Sequence, residues 1–261
     1  LYPPEIGGPA TYARLFEERL PGLGFEVTVL PFNTVRHLPP IVRHFVYAWK
    51  LAFQARKTDC ILVQDTVSTG VPAALVSMIL RQKLVVRVPG DYAWEQGTQR
   101  FGVIDSLDDF QERAYGWEVA LLRALQRFVV RRATKVIVPS EYLGRIVSQW
   151  GVAPVVIYNG IDTSKTDAVR EDNMIVSAGR LVPWKGFDEL MDVVLRHPEW
   201  KLVLIGDGPD KKRLMARSRN SDQISFLGSL PNKELRHYFA RASVFVLNSQ
   251  YEGLSHILLE A

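Results

Sequence analysis

The stretch Met174-Ile175-Val176-Ser177-Ala178-Gly179-Arg180-Leu181-Val182-Pro183-Trp184-Lys185-Gly186 decides the fold of this chain. Its first five residues are apolar or small, as in a short strand covered on both faces. Gly179, Pro183 and Gly186 then punctuate a loop, and Gly186–Arg196 reads as a helix. The same unit of strand, turn and helix recurs to both sides. Upstream strands are expected at Phe25–Leu30, Cys60–Gln64, Lys83–Val88, Lys135–Pro139 and Val155–Tyr158. Downstream ones are expected at Lys201–Ile205, Ile224–Leu227 and Val244–Leu247. Helices are expected between them, at Pro9–Leu20, Pro40–Lys57, Val71–Leu80, Leu107–Arg132, Glu141–Trp150, Asp210–Arg217 and Asn232–Ala242. Alternation of this kind specifies α/β architecture with parallel, doubly wound sheets.

The strands are too many for one comfortable sheet. The polar stretch Asp162–Asn173 lacks apolar periodicity, so the reading divides the chain into domains at 1–165 and 166–261. Two doubly wound, Rossmann-like domains are expected to face each other across a cleft, with ligands at the carboxyl ends of the strands.

With 261 residues, 47% of them hydrophobic, the chain has ample material for a core. No run of 18 or more apolar residues occurs, so no transmembrane helix is implied. Cys60 is the one cysteine. It cannot form an intrachain disulfide, which favours a reducing, cytoplasmic compartment, and its apolar neighbours suggest an inert core thiol. The net charge is +4, and its distribution is uneven. No acidic residue lies between Glu26 and Asp59, an interval that holds Arg36, Arg43, Lys50, Arg56 and Lys57. Within 40–57, Val42, Phe45, Val46, Trp49 and Phe53 follow helical spacing. Two readings stand: peripheral contact with an anionic bilayer, or a core stripe with a solvated basic face. Nucleic acid is not expected as a partner.

Several loops carry candidate chemistry. Arg180 falls just past a strand's carboxyl end and Lys185 just before a helix. A guanidinium and an ammonium five residues apart on one turn can converge on a diphosphate; alternatively they are solvated loop charges. Gly206-Asp207-Gly208-Pro209 follows another strand. Its glycines permit close backbone approach, for a phosphate or simply for a tight turn. It lacks the Gly-Lys-Ser/Thr ending of a Walker loop. Gly7-Gly8 precede a helix and can bring N–H groups to a phosphate. Gly90-Asp91-Tyr92-Ala93-Trp94-Glu95 sets two carboxylates, Asp91 and Glu95, past a strand end, where either binds an acceptor hydroxyl or serves as a base; the plain alternative is a helix cap by Asp91. Asn159-Gly160-Ile161-Asp162 reads as a tight turn, with Asn and Gly suited to positive φ. Asp105, Asp108 and Asp109 precede a long helix and favour its N-terminus over a metal. No His-Glu-x-x-His set, Cys/His cluster or Gly-x-Ser-x-Gly elbow occurs, so neither a metal nor a cofactor is expected.

The chain ends on Glu252-Gly253-Leu254-Ser255-His256-Ile257-Leu258-Leu259-Glu260-Ala261. Two carboxylates eight positions apart span a loop-to-helix junction. The N–H groups of the new turn form an anion site, and Glu260 lies about one turn further in, within reach of neighbouring hydroxyls. This suits a nucleotide-diphosphate sugar; the plain alternative is a solvated helix face.

Taken together, these motifs resemble the retaining family 4 glycosyltransferases of the GT-B fold. The resemblance rests on Tyr-Pro-Pro-Glu-Ile-Gly-Gly at 2–8, Val-Pro-Ser at 138–140 and Tyr-Asn-Gly-Ile-Asp at 158–162. It continues through Ala-Gly-Arg-Leu-Val-Pro-Trp-Lys-Gly at 178–186, Ile-Gly-Asp-Gly-Pro at 205–209 and Tyr-Glu-Gly-Leu at 251–254. It implies an acceptor-side N-terminal domain and a nucleotide-sugar-binding C-terminal domain. Arg180 and Lys185 would hold the donor diphosphate. Glu252 would touch the donor sugar, and Gly253, Leu254 and Ser255 would face sugar and phosphate. Glu260 would bind the ribose, while Gly206 and Gly8 would approach the donor. Many relatives have a His where this chain has Gly90-Asp91, which leaves the role of Asp91 open. The reaction implied is metal-independent transfer of a sugar, with retention, to a saccharide or lipid-linked acceptor in polysaccharide or glycolipid synthesis. A sugar-nucleotide epimerase and an inactive binding remnant remain alternatives. Against the family pattern the chain reads as clipped at both ends, without a first strand and with an incomplete second domain. As written, it is expected to aggregate, to leave Glu260 on a frayed turn and to be inactive.

Overall fold

The computed structural model describes residue 2 and residues 8–161, 168–218 and 221–261. The chain forms two compact units, Leu1–Asn159 and Gly160–Ala261. The boundary expected between 165 and 166 lies outside the described residues, as do residues 3–7 and Asp162 of the quoted motifs.

The first unit runs α1 (Gly8–Arg19), α2 (Pro40–Ala55), β1 (Cys60–Val63), α3 (Gly70–Leu80), β2 (Lys83–Arg87) and α4 (Tyr92–Arg100). It continues with α5 (Leu107–Glu112), α6 (Trp117–Arg132), β3 (Lys135–Val138), α7 (Glu141–Ser148) and β4 (Val155–Val156). Its strands are parallel in the order β1-β2-β3-β4. Leu84, Val86, Val136 and Val138 alternate into the core, where Trp94, Phe110 and Trp150 are fully buried.

Four expectations for this unit are corrected. Phe25–Leu30 is not a strand. A strand needs a neighbour to pair its N–H and C=O groups, and this segment has no place in the strand order; the Leu30 carbonyl instead accepts from the Tyr47 hydroxyl at 3.1 Å. The single helix expected over Leu107–Arg132 breaks into α5 and α6. Arg113 adopts extended backbone and Gly116 stands at the N-cap of the second helix, while Arg113 and Tyr115 are both drawn to Asp105. Cys60 is exposed rather than buried. As the edge strand, β1 turns only Ile61 and Val63 inward. Neither Asn159 nor Gly160 takes positive φ. Asn159 is held by the buried Arg87, whose guanidinium donates to the amide oxygen and stacks 3.7 Å from the centroid of the Tyr12 ring.

The apolar row on α2 does not form a core stripe. Tyr47 and Ala55 face inward, while of the expected row Val42, Phe45, Trp49 and Phe53 are exposed and Val46 is half-buried.

The second unit runs β5 (Met174–Ala178), α8 (Phe187–Leu195), β6 (Lys201–Ile205), α9 (Lys211–Arg217), β7 (Ile224–Gly228), α10 (Asn232–Arg241), β8 (Val244–Phe245) and α11 (His256–Glu260). All four strands are parallel in the order β7-β6-β5-β8. The chain steps from β5 out to β7, then returns to the other side of β5. That reversal makes β5 central, and every residue of it is buried. One face carries Ile175, Leu202 and Leu204 against Phe187, Met191 and Val194 of α8 and Leu214 of α9. The other carries Met174, Val176, Ala178 and Ile205 against Leu235 and Phe239 of α10 and Ile257 of α11. Arg213 joins α9 to α8 with two bonds to Asp188, at 2.8 and 2.7 Å, and holds that carboxyl below its ordinary range.

Candidate functional site

In an open parallel sheet the crevice for a ligand lies where the strand order reverses, beyond the carboxyl ends of the two strands concerned. In the second unit those strands are β5 and β8. The loop after β5 carries Gly179 to Gly186, and the loop after β8 carries Val246 to Ser255.

Three contacts join these loops. The Asn248 side-chain amide donates to the Gly186 carbonyl at 3.0 Å, and Gln250 N–H donates to the Trp184 carbonyl at 2.9 Å. The Lys185 ammonium pairs with the Glu252 carboxylate. Gly186 permits the approach: it takes φ +63°, and a Cβ there would lie 2.3 Å from the Asn248 carbonyl oxygen. Two charges 67 residues apart in sequence thus become partners, each largely shielded, with side-chain exposures of 15% and 27%. Arg180 lies exposed just past the end of β5 and makes no ion pair among the described residues.

The loop after β6 is drawn beneath the loop after β5. Leu181 N–H donates to the Asp207 carbonyl at 3.0 Å, and Asp210 N–H donates to the Leu181 carbonyl at 3.1 Å. Gly206 has φ +141°, and a Cβ on it would fall 1.9 Å from the Gly179 carbonyl oxygen. A Cβ on Gly208 would fall 2.3 Å from the Leu181 oxygen. These glycines therefore let one loop approach the other. Gly206→Ala is expected to destabilise the second unit by about 2–3 kcal/mol through overpacking, measurable as a lowered urea midpoint; an unchanged midpoint would show that the loops separate at no cost.

Gly253 and Leu254 form the bend before α11. Ser255 caps that helix, its hydroxyl accepting from Leu258 N–H at 3.3 Å, so one donor of the first turn is already taken. Glu260 is half-buried, and burial raises its carboxyl above the usual range against the opposing pull of Arg236 and the Asn232 side chain. It therefore lies against the start of α10. The turn expected to fray is closed by Leu259 N–H to the Ser255 carbonyl at 3.2 Å and Ala261 N–H to the Ile257 carbonyl at 3.1 Å.

The remaining candidates belong to the first unit. Gly8 begins α1. Asp91 is fully buried and caps α4. Its carboxylate accepts from Trp94 N–H at 3.0 Å, Gln111 Nε2 at 2.9 Å and Gln126 Nε2 at 3.1 Å. Burial raises its pKa against these donors. Of the two roles read from the sequence, this geometry is that of the cap, and it departs from an acceptor-facing base, which needs an open oxygen. Asp108 accepts from Tyr142 at 2.8 Å, and the Ser106 hydroxyl donates to the Asp109 carboxylate at 2.7 Å. Among the described residues no group of three His, Cys, Asp or Glu side chains could hold a metal. Sequence reasoning missed Asn248 and Gln250, since a polar pair after a strand carries no signal beyond an ordinary loop.

Residues 6–160 match a family model described as Glycosyl transferase 4-like domain, and residues 161–261 match one described as Glycosyl transferases group 1. The chain is 26% identical over 156 residues to the amylovoran biosynthesis glycosyltransferase AmsD of Erwinia amylovora, covering 54% of this chain and 44% of that one. It is 31% identical over 121 residues to the lipopolysaccharide core biosynthesis glycosyltransferase LpsE of Rhizobium meliloti, covering 45% and 34%. The chain thus spans less than half the length of these curated relatives. The crystal structure of Anabaena Alr3699/HepE in complex with UDP and glucose superposes with a TM-score of 0.65 at 20% identity, covering 83% of this chain and 60% of that one. This likeness shows a shared fold of two parallel-sheet α/β domains, that of the GT-B glycosyltransferases. Since the 4-like model alone covers more than half of the residues, the chain belongs to the glycosyltransferases.

Proposed function

We propose that this chain serves a retaining, metal-independent family 4 glycosyl transfer, from a nucleotide-diphosphate sugar to a hydroxyl of a saccharide or lipid-linked acceptor. The observation that carries the reading is the Lys185–Glu252 pair at the switch point of the second sheet, with Arg180 exposed at the end of β5. As the bond from the anomeric carbon to the diphosphate oxygen breaks, negative charge grows on the leaving group and positive charge on the sugar. Fixed cations near the leaving group stabilise that change more than they stabilise the ground state. Arg180 offers a planar fork of donors to the phosphate oxygens. Lys185 arrives already oriented by Glu252, which is then set to receive hydroxyls of the donor sugar. The acceptor oxygen bonds to the anomeric carbon on the face the diphosphate leaves, and its proton passes to the departing phosphate oxygen. The reading assigns the bend at Gly253, Leu254 and Ser255 to sugar and phosphate, and Glu260 to the ribose. It assigns Gly8 to the diphosphate from the acceptor-side domain at 1–165, and donor binding to 166–261. Gly206 supports the donor loop by letting it pack.

The HepE complex with UDP and glucose and the polysaccharide and lipopolysaccharide relatives support a nucleotide-sugar donor and an acceptor in polysaccharide or glycolipid synthesis. Such acceptors fit an enzyme at the cytoplasmic face of a membrane, in peripheral contact through residues 40–57. No helix among the described residues is long and apolar enough to cross a bilayer.

The test is proton NMR of the protein, purified with any flanking sequence its gene encodes, turning over UDP-glucose with and without an acceptor. Acceptor-dependent product with the donor's α-configuration is expected. A β-linked product would overturn retention, and acceptor-independent release of an altered sugar nucleotide would indicate an epimerase.

A further inference from the structure

Lys185 carries the donor-site reading, yet the backbone beneath it is weakly built. Pro183–Lys185 form a single 3₁₀ turn, closed by Lys185 N–H to the Val182 carbonyl at 3.1 Å and Gly186 N–H to the Pro183 carbonyl at 3.4 Å. Bonds of this type have poor geometry and hold only short pieces of chain. The buried Trp184 anchors the turn on one side of Lys185. On the other stands Gly186, in the left-handed region at φ +63°, and a residue without Cβ has many conformations open to it. An ammonium on a flexible four-carbon stem needs a fixed backbone below it.

The loop after β8 supplies what the turn lacks. Its two hydrogen bonds fall on the residues to either side of Lys185. Gln250 N–H reaches the Trp184 carbonyl at 2.9 Å, and the Asn248 amide reaches the Gly186 carbonyl at 3.0 Å. The two differ in kind. A backbone N–H is present whatever residue stands at 250, proline apart, whereas the second bond depends on the side chain at 248. The Gly186 carbonyl also accepts from Leu190 N–H at 3.3 Å, so Asn248 takes its second lone pair and ties the turn to the start of α8. The fit is close: a Cβ on Gly186 would lie 2.4 Å from Asn248 Nδ2. The attraction between Lys185 and Glu252 does not replace this clamp, because a Coulomb interaction depends on distance and sets no direction. Asn248 is itself exposed, so its bond adds little to the core.

We infer that Asn248 is a positioning residue for sugar transfer. It pins Gly186, and thereby fixes the Lys185 ammonium in the place where it meets the donor diphosphate. It acts through Lys185 and does not touch the donor. The inference rests on the diphosphate role given to Lys185 above.

NMR titration of the protein, purified with any flanking sequence its gene encodes, with UDP and with uridine tests it; GDP and ADP are run in parallel. Asn248→Ala is expected to weaken UDP about tenfold and uridine less than about twofold, with an unchanged thermal melt. Uridine lacks the diphosphate, so equal losses for both would mark a merely structural contact and overturn the inference. Asn248→Gln keeps an amide donor on a longer stem and should recover part of the loss. In a Lys185→Ala background, Asn248→Ala should add less than about twofold, because the group it positions is gone. A tenfold loss that persists there would place Asn248 on the donor itself and overturn the positioning role. UDP affinity lowered by Lys185→Ala but not by Asn248→Ala would overturn it too, while leaving the diphosphate role of Lys185 standing. Diphosphate nucleotides that the parent does not bind, or that bind Lys185→Ala as well as the parent, would overturn both.

Discussion

Replacing Lys185 by alanine is expected to lower sugar transfer roughly 10²–10³-fold, the loss typical of one preorganised donor to a developing anion. The fold should survive with a smaller loss. Both partners of the Lys185–Glu252 pair are largely shielded, so leaving Glu252 without its partner should cost about 1–3 kcal/mol. The β5 and β8 loops also keep the Asn248–Gly186 and Gln250–Trp184 hydrogen bonds. Arg180→Ala should cause a loss of the same order, and with less effect on stability, because Arg180 makes no ion pair among the described residues. Turnover of UDP-glucose with each variant, alongside a thermal melt, measures both effects. Near-normal turnover in both variants would remove the diphosphate assignment.

Asp91→Ala is expected to act on stability. The substitution removes the cap of α4, which is about 0.5–2 kcal/mol. It also strands the Gln111 and Gln126 amides in a buried site, where an unsatisfied donor typically costs about 1–3 kcal/mol. A combined loss of about 3–5 kcal/mol should appear in urea denaturation followed by tryptophan emission. Asp91→Asn keeps an oxygen for the Trp94 N–H and should lose less. An Asp91→Ala protein as stable as the parent but unable to transfer sugar would return this carboxylate to the chemistry.

Much of this architecture was legible before any coordinates. Strands such as Met174–Ala178 and Lys201–Ile205 announce themselves because a strand covered on both faces must be apolar along its whole length. Their glycine and proline flanks mark where each ends. The failures have a common cause. Phe25–Leu30 has a strand's composition, yet pairing depends on a neighbouring strand that local sequence does not describe. The break at Arg113–Gly116 turns on Asp105 drawing in Arg113 and Tyr115, which overrides a helical apolar pattern. Residues Phe45, Trp49 and Phe53 have the spacing of a core face. Whether such a row points inward is settled by what packs on the opposite side of the helix.

The candidate site divides along the same line. The sequence by itself determined which residue types stand at the carboxyl ends of strands: Arg180 and Lys185 after one, Glu252 to Ser255 after another. That follows from local alternation and loop composition. Only the tertiary structure decided that β8 returns to lie beside β5, and so that Lys185 meets Glu252. Strand order is a property of long-range packing, to which a residue's sequence neighbours contribute little. The structure likewise decided that Asp91, read equally as base or cap, is enclosed by Gln111 and Gln126. A carboxylate's role depends on whether its oxygens face solvent or buried donors, and those donors come from helices 20 and 35 residues away.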